Sequence, residues 1–147
     1  MHHFAQSPPE GAAATTIRHR VCFYETDAMG IVHHANYIHF FENARVQWLD
    51  DHDRPYRWYV EQGIHFATTH IAVHYQSPTA FDDELEITTW LDWARGASLG
   101  MAYRIAKDGE TKILGTSEHA AVDLEGRIRR IPKQRRESLR EIAARRP

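Results

Sequence analysis

The segment from His34 to Leu49 constrains the fold most, because its apolar residues recur at spacings of three and four around much of a helix. Positions with this spacing share one helix face. The apolar set is Tyr37, Phe40, Phe41, Ala44, Trp48 and Leu49, with Ile38 and Val46 widening it. A helix that is apolar around most of its circumference has to be buried. The sequence therefore predicts one central helix enclosed by other elements, most economically by a sheet.

The sequence on both sides of this helix is typical of strands. Residues 16–24 alternate apolar and basic side chains, as a half-buried strand does. Four later segments are rich in β-branched and aromatic residues, and they span 65–77, 84–94, 97–107 and 112–124. Short turn sequences join these segments, so the strand pairing is expected to be antiparallel, although neighbours in sequence need not all be neighbours in the sheet. We predict an α+β fold in which one five-stranded sheet curls about one long helix.

Two further helices and the domain limits follow from smaller signals. A short helix in residues 57–63 is expected to stop at Gly63, and Pro132 is expected to open a final helix. We read residues 1–15 as a flexible arm, 16–131 as a single domain and 132–147 as a basic C-terminal helix.

The net charge of −2 hides an asymmetry along the chain. Nine Lys or Arg and two Glu occupy residues 127–147, a sum of +7, which leaves −9 on residues 1–126. Such an end can hold phosphates, nucleic acid or a membrane face. We interpret it instead as a solvated helix face that the chemistry does not need, and we expect no nucleic-acid partner.

No apolar run approaches the length that spans a bilayer, and residues 1–15 lack the pattern of a signal peptide. A cytoplasmic location without a membrane span is therefore expected.

Cys22 is the only cysteine, which excludes an intrachain disulfide and any CxxC site, and we expect it to be a small apolar strand residue. His70 and His74 share a strand face and, with His33, suggest a metal, but their spacing matches no recognised ligand set, so no metal is expected.

The loop before the central helix carries the candidate chemistry, with Asp27, Gly30 and His34 within eight positions. A helix N-terminus presents unpaired N–H groups and a partial positive charge, which favour a developing oxyanion. Gly30 lets the backbone approach a ligand closely, and a carboxylate beside a polarised carbonyl can attack it or activate a water. Taken alone, Asp27 is equally well explained as a helix cap, and His34 as a buried, hydrogen-bonded histidine. Together in one glycine-containing loop they favour function.

The stretch "FYETDAMGIVHHANYIHFFENARVQWL" closely resembles the signature of the 4-hydroxybenzoyl-CoA thioesterase family, especially its branch of acyl-CoA thioesterases associated with the Tol–Pal cell-envelope system. The shared pattern is an aromatic residue, Thr-Asp, Gly, then His-Ala-Asn-Tyr, and finally an aromatic residue with Glu and Ala-Arg. Weaker similarity extends through "VHYQSPTAFDDELEITTWL", so that the resemblance covers roughly residues 16–130.

The resemblance implies a hotdog fold, in which a five-stranded antiparallel sheet wraps a long helix and two subunits join their sheets edge to edge. It implies an acyl-CoA thioesterase that needs no cofactor, since coenzyme A is part of the substrate. The catalytic carboxylate falls on Asp27, and the histidine whose amide polarises the thioester falls on His34. Substrate or coenzyme A contacts are implied for Asn36, Tyr37, Glu42, Arg95, Ala97 and Ser98. His33 replaces the usual aromatic or aliphatic residue, which predicts a more polar acyl pocket.

Two other functions stay open at this point. A hotdog dehydratase acting on 3-hydroxyacyl thioesters also uses a histidine and a carboxylate, although Asp27 lies before the helix, which disfavours it. A non-catalytic acyl-CoA-binding or interaction protein is the other alternative. We expect a homodimer or homotetramer, because so short a sheet leaves an open edge.

Overall fold

The computed structural model describes residues 3–146 and contains five strands and three α-helices. The strands are β1 (Ala14–Arg20), β2 (His65–Tyr75), β3 (Glu84–Arg95), β4 (Ser98–Lys107) and β5 (Glu110–Val122). The α-helices are α1 (Asn36–His52), α2 (Tyr56–Glu61) and α3 (Lys133–Ile142), and a 3₁₀ helix covers Phe23–Glu25. The strands form one antiparallel sheet in the order β1-β3-β4-β5-β2. The predicted α+β class and five-stranded sheet are confirmed.

Helix α1 is enclosed by the curled sheet, as its apolar pattern predicts. The six residues of the predicted stripe are all buried: Tyr37, Phe40, Phe41, Ala44, Trp48 and Leu49. The two residues expected to widen this stripe are less buried, since Val46 is 41% exposed and Ile38 is half-buried. The strand pairs β2–β5, β3–β4 and β4–β5 each contain a register shift. Such irregularities bend a strand locally, which helps the sheet wrap the helix.

Gly115 in β5 allows α1 to lie close to the sheet. A Cβ at this position would lie 2.5 Å from Cε2 and Cζ of Phe41 and 3.2 Å from the Ala72 carbonyl oxygen. The Phe41 ring is stacked on Tyr103 with centroids 4.2 Å apart, so it cannot move aside freely. We therefore expect Gly115→Ala to lower the free energy of unfolding by about 1–3 kcal/mol, measured by urea denaturation. Gly96→Ala is the control, because its Cβ would meet only Arg130 side-chain atoms at 3.5 Å or more. Equal effects of the two substitutions would contradict this packing.

The boundaries of β1 differ from the prediction for residues 16–24. β1 begins at Ala14 and ends at Arg20, after which the chain forms the 3₁₀ helix. Phe23, an aromatic residue of the predicted strand, is 75% exposed, whereas Val21 is buried. The predicted arm is thus tied down from Ala13 onwards, because the Ala13 carbonyl accepts a 2.9 Å hydrogen bond from the Trp48 indole. Part of that arm, residues 1 and 2, lies outside the described residues.

Helix α3 packs on the domain and is not a freely solvated face. Leu139 is buried, and Arg135 donates to the Asp53 carboxylate at 2.9 Å. Beyond the helix, Arg145 makes two 2.9 Å hydrogen bonds to Asp92. The C-terminal helix therefore contributes to the fold through specific contacts. No helix within residues 3–146 is both long and apolar enough to cross a lipid bilayer.

Candidate active site

Asp27 lies in a tight turn at one end of the sheet. The Asp27 carbonyl accepts from Gly30 N–H, and Asp27 N–H donates to the Ile31 carbonyl, both at 2.9 Å. Gly30 has a φ of +79°, which an L-residue with a side chain rarely adopts. Asp27 Oδ1 accepts a 2.8 Å hydrogen bond from Met29 N–H, and Oδ2 accepts none from residues 3–146. One carboxylate oxygen is therefore held by the turn, and the other is available.

The helix-cap alternative for Asp27 is wrong. Helix α1 begins at Asn36, its N-cap is Ala35, and no side chain caps it. The carboxylate of Asp27 instead stabilises the turn that contains it. Asp27 is thus placed by the loop and has no direct part in starting the helix.

His34 lies two residues before the first residue of α1, although the apolar pattern suggested that the helix starts near His34. Its ring is exposed and stacks on that of His33, with centroids 4.2 Å apart, so it is not a buried histidine. The His34 carbonyl accepts a 3.0 Å hydrogen bond from the hydroxyl of Tyr75. Within the described part of the chain the N–H of His34 donates no hydrogen bond. This free donor next to a helix N-terminus is suited to a developing oxyanion.

A cleft of about 370 Å³ brings Asp27 and His34 together. Its apolar lining comes from Met29, Ile31, Val32, Pro78 and Ile113, with the rings of Tyr37 and Tyr75, and Gln76 and Ser77 add polar groups. His33 does not line it, and its Nδ1 accepts a 3.1 Å hydrogen bond from Ala35 N–H. His33 therefore does not add polarity to this cleft. The arrangement combines an unpaired carboxylate oxygen, a free N–H and mostly apolar walls.

Asn36 and Tyr37 hold the cleft in shape through their polar groups. Asn36 Nδ2 donates to the Glu25 carbonyl at 2.8 Å, and the Tyr37 hydroxyl is 2.7 Å from Thr79 Oγ1. Burial raises the pKa of the Tyr37 phenol, with hydrogen bonds from Thr79 acting in the opposite direction. Tyr37 thus lines the cleft with its ring while its hydroxyl is occupied, and Asn36 anchors the start of α1.

Glu25 is an anchor that the sequence analysis missed. It is buried, and its carbonyl accepts from His33 N–H at 2.9 Å as well as from Asn36. Its carboxylate accepts from Cys22 N–H at 2.6 Å and lies 2.8 Å from His19 Nε2. Burial raises the pKa of Glu25, but the hydrogen bonds from Cys22 and His19 outweigh it and the net pKa is lowered. The only indication of this role in the sequence was that Glu25 lies two residues before Asp27.

Glu42 lies away from the cleft. It projects from α1 with its side chain 64% exposed and a weak 3.9 Å ion pair to Arg45. It borders two smaller cavities, of about 70 and 140 Å³, between α1 and the β2–β5 side of the sheet. In the first of these, burial lowers the pKa of His119 to about 3. Within one subunit, Glu42 therefore does not face the space beside Asp27.

Arg95, Ala97 and Ser98 lie at the opposite end of the sheet from Asp27. They belong to the β3–β4 hairpin, whereas the cleft lies near Glu84, at the start of β3. A strand of 12 residues is about 36 Å long, so one subunit does not bring these residues to its own cleft.

The comparison with protein families decides the classification. The model described as the thioesterase-like superfamily matches residues 21–142. The chain belongs to this superfamily. The acyl-CoA thioester hydrolase YbgC of Escherichia coli is 34% identical over 117 residues, covering 78% of this chain and 87% of the relative. These matches confirm the family predicted from the loop signature.

Solved structures agree with the fold. A protein from Aquifex aeolicus has 33% identity and a TM-score of 0.79, covering 85% of this chain and 98% of that one. A protein from Thermus thermophilus has 28% identity and a TM-score of 0.80, with coverage of 86% and 95%. The hotdog fold expected from the sequence is confirmed.

Proposed function

We propose that this protein hydrolyses acyl-CoA thioesters to a carboxylic acid and free coenzyme A, at the cleft that contains Asp27. The observation that carries the proposal is that one cleft is lined by both Asp27 and His34, and that within residues 3–146 Asp27 Oδ2 and His34 N–H make no hydrogen bond. The activity named for the E. coli relative supports the same reaction class.

The proposed mechanism needs only these two groups. The thioester carbonyl oxygen accepts a hydrogen bond from His34 N–H, which stabilises negative charge as the tetrahedral intermediate forms. Asp27 either attacks the carbonyl carbon, so that water later cleaves an anhydride, or directs a water to that carbon. In both routes the C–S bond breaks and the thiolate leaves without strong acid assistance. Water attacks the acyl carbon, of the thioester or of the anhydride, so that its oxygen enters the carboxylic acid and its proton passes to Asp27 or to the thiolate.

The acyl group is expected to be largely apolar. The walls beside Asp27 are formed mainly by Met29, Ile31, Val32 and Ile113, and the tyrosine hydroxyls are engaged with Thr79 and the His34 carbonyl. A charged acyl group would lose hydration against these apolar walls.

Thiol release from a panel of acyl-CoA esters tests the proposed reaction. The panel varies alkyl chain length, includes aryl esters and includes 3-hydroxyacyl esters. Equal release of thiol and carboxylic acid supports hydrolysis. Formation of a double bond without thiol release would indicate the dehydratase, and binding without turnover would indicate a non-catalytic protein.

We also propose a homodimer, or a homotetramer built from it, joined along β2. This strand pairs with β5 on one side and has no strand partner on the other within residues 3–146. Its exposed middle, Ala67, Thr68 and Thr69, carries no charge that would oppose pairing.

Antiparallel pairing of two β2 strands would place the Tyr75 end of one beside the His65 end of its partner. Ser98 and Ala67 both lie opposite Ala120, so the partner's hairpin would lie at the end that holds the cleft. In this arrangement Arg95, Ala97 and Ser98 of one subunit would lie near the cleft of the other, where we propose that they contact coenzyme A.

Sedimentation equilibrium at micromolar concentration is expected to give a dimer or tetramer, with no active monomer. The physical reason is that the proposed contacts to coenzyme A come from the hairpin of the second chain. A monomer with full thioesterase activity would contradict the proposed assembly.

A further inference from the structure

Three potential metal ligands of different chemistry lie together beside the catalytic loop, residues 27–34. His19 at the end of β1, Cys22 and Glu25 of the 3₁₀ helix each offer one ligand atom, and these atoms lie within 4.8 Å of one another. Glu25 is buried, and the other two residues are half-buried. None of the three lines the cleft beside Asp27. The thioesterase proposal therefore leaves this cluster without a role.

We propose that His19, Cys22 and Glu25 form a zinc site with one open coordination position. Imidazole nitrogen, thiolate sulfur and carboxylate oxygen are the three donor types that zinc uses in proteins. A thiolate among the donors favours zinc over magnesium or calcium, which prefer oxygen ligands. The site is independent of the proposed hydrolase activity.

The present contacts leave donor capacity for an ion. Cys22 Sγ lies 3.8 Å from the Arg20 carbonyl oxygen and also takes part in a capping box with the backbone N–H of Glu25. Cys22 N–H and His19 Nε2 both contact Glu25 Oε1, and neither contacts Oε2. Tetrahedral zinc bonds set ligand atoms about 3.4–3.6 Å apart. His19 Nε2 and Glu25 Oε1 are 2.8 Å apart, so a shift of about half an ångström admits the ion between them.

The surrounding contacts already position the ligands. The His19 ring packs against Phe40 of α1 with centroids 4.4 Å apart, and the Cys22 amide orients the Glu25 carboxylate. Ligand side chains that are already held in place lose less conformational entropy when a metal binds. A bound ion would also restrain Glu25, whose carbonyl holds His33 and Asn36 at the base of the catalytic loop. Zinc would thus stabilise the loop without touching the substrate.

Cobalt(II) titration of the full chain, without an affinity tag, tests the site. We expect one cobalt per chain with a thiolate-to-cobalt absorption band in the near ultraviolet and the intense visible bands of a tetrahedral ion, both lost when zinc is added. The thiolate band is the readout because other exposed histidines can bind cobalt without it. Cys22→Ser and His19→Asn should lower cobalt affinity at least tenfold. His39→Asn, at an exposed histidine outside the cluster, should retain both the band and the affinity.

A second measurement uses the unaltered protein, in case Cys22→Ser fails to fold. Stoichiometric zinc should slow alkylation of the Cys22 thiol by iodoacetamide at least tenfold and raise the melting temperature. The proposal is overturned if zinc does not protect the thiol, if bound cobalt shows no thiolate band, or if folded Cys22→Ser binds cobalt as tightly as the wild type.

Discussion

Asp27→Asn is expected to lower the turnover number about a hundredfold or more while leaving the Michaelis constant for acyl-CoA nearly unchanged. The asparagine oxygen can still accept the hydrogen bond from Met29 N–H, so the turn is retained. The substitution replaces the free Oδ2 with an uncharged NH₂ group, which can neither attack the thioester nor take a proton from water. Losses of this size are typical when a positioned base or nucleophile is removed.

Asp50→Asn is the matched control for that experiment. Asp50 is an exposed residue of α1, and its side chain makes no hydrogen bond or ion pair with the residues that the structure describes. Removing its charge should change turnover less than twofold, and circular dichroism checks that both variants are folded. If Asp27→Asn were as active as Asp50→Asn, Asp27 would have only a structural role.

Arg135→Gln is expected to lower the free energy of unfolding by about 3 kcal/mol, which is more than a hundredfold in the folding equilibrium. The side chain of its partner Asp53 is fully buried and also accepts from the Tyr59 hydroxyl. Without Arg135 the Asp53 carboxylate keeps its hydrogen bond from the Tyr59 hydroxyl but loses the positive charge that balances its own. Loss of one partner of a buried pair typically costs 3–5 kcal/mol, and the remaining hydrogen bond places this site at the lower end.

Urea denaturation measures the change, with Arg140→Gln as the control on the same helix. Arg140 is exposed and has no ion-pair partner within residues 3–146, so its replacement should change stability by less than about 0.5 kcal/mol. Equal effects at the two arginines would mean that the contact with Asp53 does not hold α3 on the domain. The basic C-terminal end would then be the solvated face that its charge suggested.

The main elements of the fold could be predicted because local sequence patterns determine them. The buried residues of α1 recur at helical spacing, and Gly63 ends the second helix region with a φ of +75°. The order of the strands could not be read in the same way. Placing β2 at the edge, beyond β5, depends on pairings between residues about 50 positions apart, such as Phe66 with Ala121. Local periodicity contains no information about such pairings.

The candidate site likewise has parts that the local sequence predicts and parts that only the folded chain shows. Asp27 and His34 are close in sequence and form a recognisable motif, and the structure places both in one cleft. The Tyr75 hydroxyl reaches the His34 carbonyl from the end of a distant strand, so only the folded chain shows this contact. The resemblance implied a substrate contact for Glu42, yet its side chain borders cavities away from Asp27.

A crystal structure of the Asp27→Asn variant with an intact acyl-CoA tests the central claim most directly, because the variant should bind the substrate without cleaving it. We predict that the thioester carbonyl oxygen lies within hydrogen-bond distance of His34 N–H, with the side chain of residue 27 beside the carbonyl carbon. A thioester bound elsewhere, for example next to Glu42 in the cavity between α1 and β2, would contradict the assignment of the catalytic cleft.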